Sequence, residues 1–162
     1  MSRIIGLDPI VHKQDQILIL GSMPSVISLQ KQMYYANQNN RFWKVLSQIY
    51  DMEVKTEDDK LTLLSTCHIA LWDSCASCVR IQSKDASIQD VIVNPIDQFL
   101  QDHPTIEIIL CNGKKSYDTF CQAFPQLKAK AILCPSTSSA NARMRLEDLV
   151  KIYKKVLRKT NE

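Results

Sequence analysis

The chain has 162 residues, is 45% hydrophobic, and sets 20 basic against 17 acidic residues for a net charge of +3. That length can bury one substantial core, so a single domain over residues 1–162 is expected. No apolar run approaches the roughly 20 residues that span a bilayer, and MSRIIGLDPIVHKQDQ has no long apolar stretch behind Arg3, so no membrane and a cytoplasmic location are expected.

In chain order, four short apolar runs at 17–20, 69–72, 106–110 and 131–134 read as buried strands, the first ended by Gly21 and Pro24. Helical stretches separate them. Positions 42, 45, 46 and 49 form an apolar stripe over 42–49, and Glu57, Asp58 and Asp59 open a second helix that 61–64 closes. A third helix is expected near 96–100, a fourth over 117–124 ending before Pro125, and a long C-terminal helix over 144–157. This alternation predicts an α/β fold, a three-layer α/β/α arrangement around a central, mainly four-stranded parallel sheet. Residues 74–94 read as the longest irregular stretch, of a length that in a compact domain is usually functional or partly structured.

Six cysteines include one Cys-x-x-C pair, Cys75 and Cys78, with no second pair, and His12, His68 and His103 are scattered. Cys111 and Cys134 close apolar runs, where a reduced thiol acts as a small hydrophobe. No metal and no cofactor are expected. The basic residues Lys151, Lys154, Lys155 and Arg158 fall on the last helix as a solvated face, while Arg143 and Arg145 lie beside a Ser/Thr-rich loop and could meet phosphates.

The stretch ILILGSMPSVISLQKQMYYANQNNRFWKVLSQI, residues 17–49, joins a strand, a Gly21-Ser22-Met23-Pro24 turn, the Tyr34-Tyr35 pair and Asn40-Arg41-Phe42-Trp43. It resembles the first motif of the uracil-DNA glycosylase superfamily, especially the mismatch-specific and hypoxanthine-excising branches. Leu71-Trp72-Asp73 with Arg80, Asn112-Gly113, and Pro135-Ser136-Thr137-Ser138 resemble later motifs in the same order. The resemblance implies a monofunctional glycosylase that removes a deaminated base, hypoxanthine first, leaving an abasic site. Excision of uracil or thymine from mismatches, or DNA binding without catalysis on the same fold, are the alternatives. The implied partner is double-stranded DNA carrying the damaged base, and also single-stranded DNA. The protein is expected to act as a monomer, associated with the nucleoid in a bacterium.

The same resemblance assigns roles. Asn40, otherwise an ordinary helix cap, becomes the catalytic candidate that orients water or stabilises the transition state. Relatives place a polar water-directing residue at position 23 and many a His at 134. Met23 and Cys134 stand there, which disfavours the uracil mechanism, since a thioether cannot direct water strongly. Tyr35 matches the aromatic that stacks on a flipped base. Gly21, Ser22, Met23, Pro24, Trp72, Asp73 and Asn112 are expected in the base pocket, although Asp73 could cap a turn and Asn112 could simply begin one. Arg80, Pro135, Ser136, Thr137, Ser138, Asn141 and Arg143 are expected to contact DNA.

Overall fold

A computed structural model describes residues 2–160. In chain order its elements are β1 (Ile4–Ile5), β2 (Ile17–Gly21), α1 (Val26–Lys31), α2 (Phe42–Tyr50), α3 (Glu57–Cys67), β3 (Ile69–Asp73) and β4 (Cys75–Val79). There follow β5 (Gln89–Val93), α4 (Ile96–Asp102), β6 (Ile108–Asn112), α5 (Lys114–Ala123), β7 (Ala131–Cys134) and α6 (Leu146–Thr160). Short 3-10 turns cover Asp85–Ser87 and Pro125–Lys130.

The main sheet is parallel, in the order β3-β2-β6-β7, and helices flank it. Ile17 to Leu20 of β2 are fully buried, as an apolar strand covered on both faces must be. The register sets Gly21 beside Asp73, Leu20 beside Cys111 and Asn112 beside Cys134. The carboxyl ends of all four strands therefore finish at one level, where ligands bind in open parallel sheets.

The helices begin where local chemistry starts them. Thr56 and Asp59 form a reciprocal capping box at α3, and three acidic residues fill its first turn. Ser25 caps α1 by accepting from the Ser28 N–H at 3.1 Å. In α6, Leu149, Tyr153 and Leu157 are fully buried at four-residue spacing, while Lys154, Lys155 and Arg158 face out. The expectation of a solvated basic face therefore matches what is seen.

The 74–94 stretch is not irregular. It folds into β4 and β5, and β4 pairs antiparallel with both β1 and β5 in a second, three-stranded sheet. Register shifts at Ser77 break the period-two alternation that would have revealed these strands. Helix α1 was also not foreseen; at six residues it is too short to show a stripe.

Candidate active site

A cleft of about 710 Å³ opens over the carboxyl ends of the parallel strands. Its walls come from the turn after β2, the Tyr35 loop, the 82–86 turn, the end of β6 and the loop after β7.

The turn after β2 requires Gly21. A Cβ there would lie 2.4 Å from Asp73 Oδ1 and 3.0 Å from the Tyr35 hydroxyl. Gly21→Ala is expected to push the Asp73 carboxyl aside and cost about 1–2 kcal/mol as an overpacking change; chemical denaturation measures it. Ser22 donates to Asp85 Oδ1 at 2.9 Å, and Met23 is buried against Cys75, Cys78 and Ile88. The position at which the resemblance leads one to expect a water-directing residue is here filled by a packed thioether.

The Tyr34-Tyr35 segment is pinned from several sides. Tyr34 donates its hydroxyl to Asp8 O at 2.7 Å, Trp43 Nε1 donates to Tyr34 O at 2.9 Å, and the Ala36 N–H donates to Ser28 Oγ at 3.0 Å. Those bonds hold Tyr35 at φ +54, in the left-handed region that a bulky residue rarely adopts. Its ring stacks on Phe42 with centroids 3.9 Å apart, and the partly exposed residue lines the cleft. Phe42 and Trp43 are core residues.

Asp73 is almost fully buried. Burial first, and then the charge of Asp85, raise its pKa to about 8 against the opposing effect of Arg80. Its Oδ2 is buried with no hydrogen-bond partner, and the Tyr35 hydroxyl is buried with only the Asn112 amide at hand. Burial and the neighbouring Asp73 also push the Tyr35 phenol upward, opposed by the nearby Asn112 amide. The end of β3 thus offers a neutral carboxyl, short of a partner, beside the neutral phenol of Tyr35.

Asn40 sits just before α2. Its Oδ1 accepts from the Phe42 N–H at 2.9 Å and from Thr137 Oγ1 at 2.8 Å. Thr137 in turn meets Asn112: its N–H donates to Asn112 Oδ1 and its Oγ1 accepts from Asn112 Nδ2, each at 3.0 Å. Three elements far apart in sequence are joined here through the side chains of Asn40, Asn112 and Thr137 and the Thr137 N–H.

The loop after β7 is organised by Arg41, which sequence reasoning missed. Its Nε donates to Thr137 O at 3.3 Å, and its NH2 group donates to Ser138 O at 2.8 Å and Asn141 O at 3.1 Å. A further bond runs to Met144 O. No periodicity marks such a residue, which reads as a polar interruption at a helix start. The loop also braces itself: Tyr153 donates to Pro135 O at 2.7 Å and Asn141 Nδ2 to Ser136 O at 3.0 Å. Pro135, Ser136, Ser138 and Asn141 stay half-buried along the cleft side, and Arg143 is exposed just beyond them.

Three expected contacts are corrected by these positions. Trp72 does not line the cleft: neighbouring strand residues point to opposite faces, so it packs on Phe99 with centroids 4.8 Å apart while Asp73 turns to the cleft. Arg80 is buried and donates to Gln82 O at 2.6 Å, to Met23 O and to Pro24 O, leaving no guanidinium for a phosphate. Thr137 is fully buried, so its side chain serves the asparagine network and not the DNA surface.

The six cysteines are free, and among the described residues no three His, Cys, Asp or Glu gather into a metal site. Burial pushes the Cys134 thiol up to about 12, so it stays neutral where many relatives are expected to hold His.

The model of the uracil DNA glycosylase superfamily matches residues 9–158. The chain belongs to that superfamily. It is 32% identical over 142 residues to a hypoxanthine DNA glycosylase of Methanosarcina barkeri, covering 85% of this chain and 88% of the relative. A hypoxanthine DNA glycosylase of Methanosarcina acetivorans is 30% identical over the same shares. A solution NMR structure from Methanosarcina acetivorans, described as a uracil DNA glycosylase, superposes with a TM-score of 0.83 at 28% identity. The match covers 99% of this chain and 100% of that one. The superfamily fold agrees with the parallel α/β expectation from sequence.

Proposed function

We propose that this superfamily member is a monofunctional DNA glycosylase that hydrolyses the N-glycosidic bond of a flipped deaminated base, hypoxanthine before others, and leaves an abasic site. The observation that carries the reading is a buried polar pair at the strand ends of a cleft, Asp73 Oδ2 with no hydrogen-bond partner and the Tyr35 hydroxyl with only the Asn112 amide at hand. Orphaned buried groups are costly unless a ligand completes them. A 6-oxopurine presents an adjacent N–H and carbonyl, and a neutral carboxyl can accept from the first and donate to the second. Two relatives named for hypoxanthine support the choice of base.

In this reading the base leaves the stack and enters the cleft, and the free face of Tyr35 restores part of its lost stacking. Asn40 acts on the transition state, and Asn112 and the turn 21–24 shape the pocket. The loop 135–141 and Arg143 hold the DNA backbone, the loop through its polar side chains and Arg143 through its charge. Neither Lys84 nor Lys114 is placed for Schiff-base chemistry. Lys114 pairs with Asp118 at 2.7 Å and Lys84 is exposed, whereas an amine nucleophile needs desolvation. The substrate form is duplex DNA, with single strands also accepted, and the protein works as a monomer in the cytoplasm.

Single-turnover assays on duplexes carrying hypoxanthine, uracil, xanthine or a G·T mismatch, followed by alkali, test the reading. Hypoxanthine is expected to be cut fastest. Uracil first would place the chain with the mismatch enzymes, and salt-dependent binding without cleavage of any base would leave a DNA-binding protein.

A further inference from the structure

The amide of Asn40 is held in one orientation by hydrogen bonds whose polarity is set by backbone N–H groups at both ends. At one end, the Thr137 N–H donates to Asn112 at 3.0 Å, so the atom it meets is the amide oxygen. The other arm of that amide is then nitrogen, and it donates to Thr137 Oγ1 at 3.0 Å. Having accepted there, the hydroxyl directs its own hydrogen at Asn40, 2.8 Å away. At the other end, the Phe42 N–H donates to the same Asn40 atom at 2.9 Å. An atom that accepts from both an N–H and an O–H is the amide oxygen, and its two lone pairs are then occupied. Asn40 lines the cleft, and what it has left to offer there is its Nδ2 amino group.

We infer that Thr137 is a positioning residue that fixes Asn40 as a hydrogen-bond donor, so that Asn40 assists by donating to the departing base and not by accepting a hydrogen from water. This rests on the glycosylase reading above. When the C1′–N9 bond breaks, its electron pair leaves with the base, and charge spreads over the ring nitrogens and the carbonyl oxygen. A preorganised N–H aimed at that charge lowers the barrier without any reorganisation during the step. The water oxygen bonds to C1′, and its surplus proton reaches the departed base through solvent. No strong base is needed, which accords with the packed Met23 and the neutral Cys134.

The geometry isolates the hydroxyl as the part that matters. The Thr137 carbonyl is held separately, by the Arg41 N–H at 3.0 Å and the Arg41 side chain. Thr137→Val keeps the shape and the loop while deleting both hydroxyl bonds. Thr137→Ser keeps the hydroxyl. Asn40→Asp keeps an oxygen for Phe42 and Thr137 and removes the amino group.

The test is single-turnover excision of hypoxanthine from a duplex, with affinity for the same duplex carrying a non-hydrolysable 2′-fluoroarabino analogue measured in parallel. Thr137→Val is expected to slow excision by about 10- to 100-fold at unchanged affinity, and Thr137→Ser to restore most of it. Asn40→Asp is expected to lose about 100-fold or more, the usual scale for one preorganised donor. A wild-type rate in Thr137→Val, a serine variant no faster than the valine one, or an Asn40→Asp variant as active as wild type would each overturn the inference. Should Thr137→Val fail to fold, Asn40→Asp decides alone. A wild-type protein inert on every deaminated base removes the glycosylase reading together with this one, whereas an active wild type with an unaffected valine variant removes this one only.

Discussion

Excision by the wild-type protein is expected to fall as the pH passes about 8, and Asp73→Asn is expected to abolish that fall. Buried Asp73 faces Asp85, Arg80, Tyr34 and Tyr35, and burial outweighs the cation, so its carboxyl keeps its proton at neutral pH. A neutral carboxyl can donate to the carbonyl oxygen of the base, whereas a carboxylate would repel that oxygen. Asparagine retains one donor and one acceptor but does not titrate. Asp73→Ala, with neither, is expected to lose about 10- to 100-fold at every pH, the scale of an unmet polar group in a site built for one. Stability gives an independent reading. Between 3.8 and about 8 the unfolded chain has released this proton while the native state keeps it, so the native state binds more protons and loses stability as the pH rises. Below 3.8 both states are protonated and the penalty vanishes. Asp73→Asn should therefore gain on wild type in urea melts progressively from about pH 4 to about pH 8. A flat rate profile in wild type together with parallel stability curves would show Asp73 to be an ordinary carboxylate.

The parallel sheet was legible because its strands are buried on both faces and so announce themselves as unbroken apolar runs. Even there the third run starts two residues late: Ile106 is buried ahead of the strand, and pairing with β2 begins only at Ile108. The helix expected at 117 begins at Lys114, since Gly113 at φ +97 starts it and the first turn is polar. The second sheet was hidden by small residues in β4 and by bulges that scramble its alternation. At the site, the turn, the tyrosine and Asn40 were readable as motifs with a fixed order. The fates of Trp72, Arg80 and Thr137 were not, although for Trp72 strand parity alone separates it from Asp73. An arginine in sequence looks like a phosphate ligand; only the fold shows three carbonyls converging on Arg80. Nor can spacing reveal that Thr137, 97 residues from Asn40, supplies the hydroxyl that orients it.

Arg80→Ala is expected to be the most damaging single change to stability, about 3–5 kcal/mol, the range for stripping a partner from buried charged or polar groups. Its guanidinium satisfies Met23 O, Pro24 O and Gln82 O together, tying the turn after β2 to the turn that carries Asp85. Alanine would leave the buried Met23 and Pro24 carbonyls without a donor, while exposed Gln82 could turn to water. Arg80→Lys should recover only part of the loss, because an ammonium cannot span three acceptors as a planar fork does. The same cation opposes the rise of the Asp73 and Asp85 carboxyls, so its removal lets both keep their protons to higher pH. In Arg80→Lys, which keeps the charge, the alkaline fall in excision stays near its wild-type position. In Arg80→Ala, wherever enough folded protein remains to assay, the fall moves upward. Denaturation curves and pH–rate profiles on the two variants separate the structural contribution of this arginine from its electrostatic one. An unchanged midpoint of unfolding in Arg80→Ala would show that the turn holds without it.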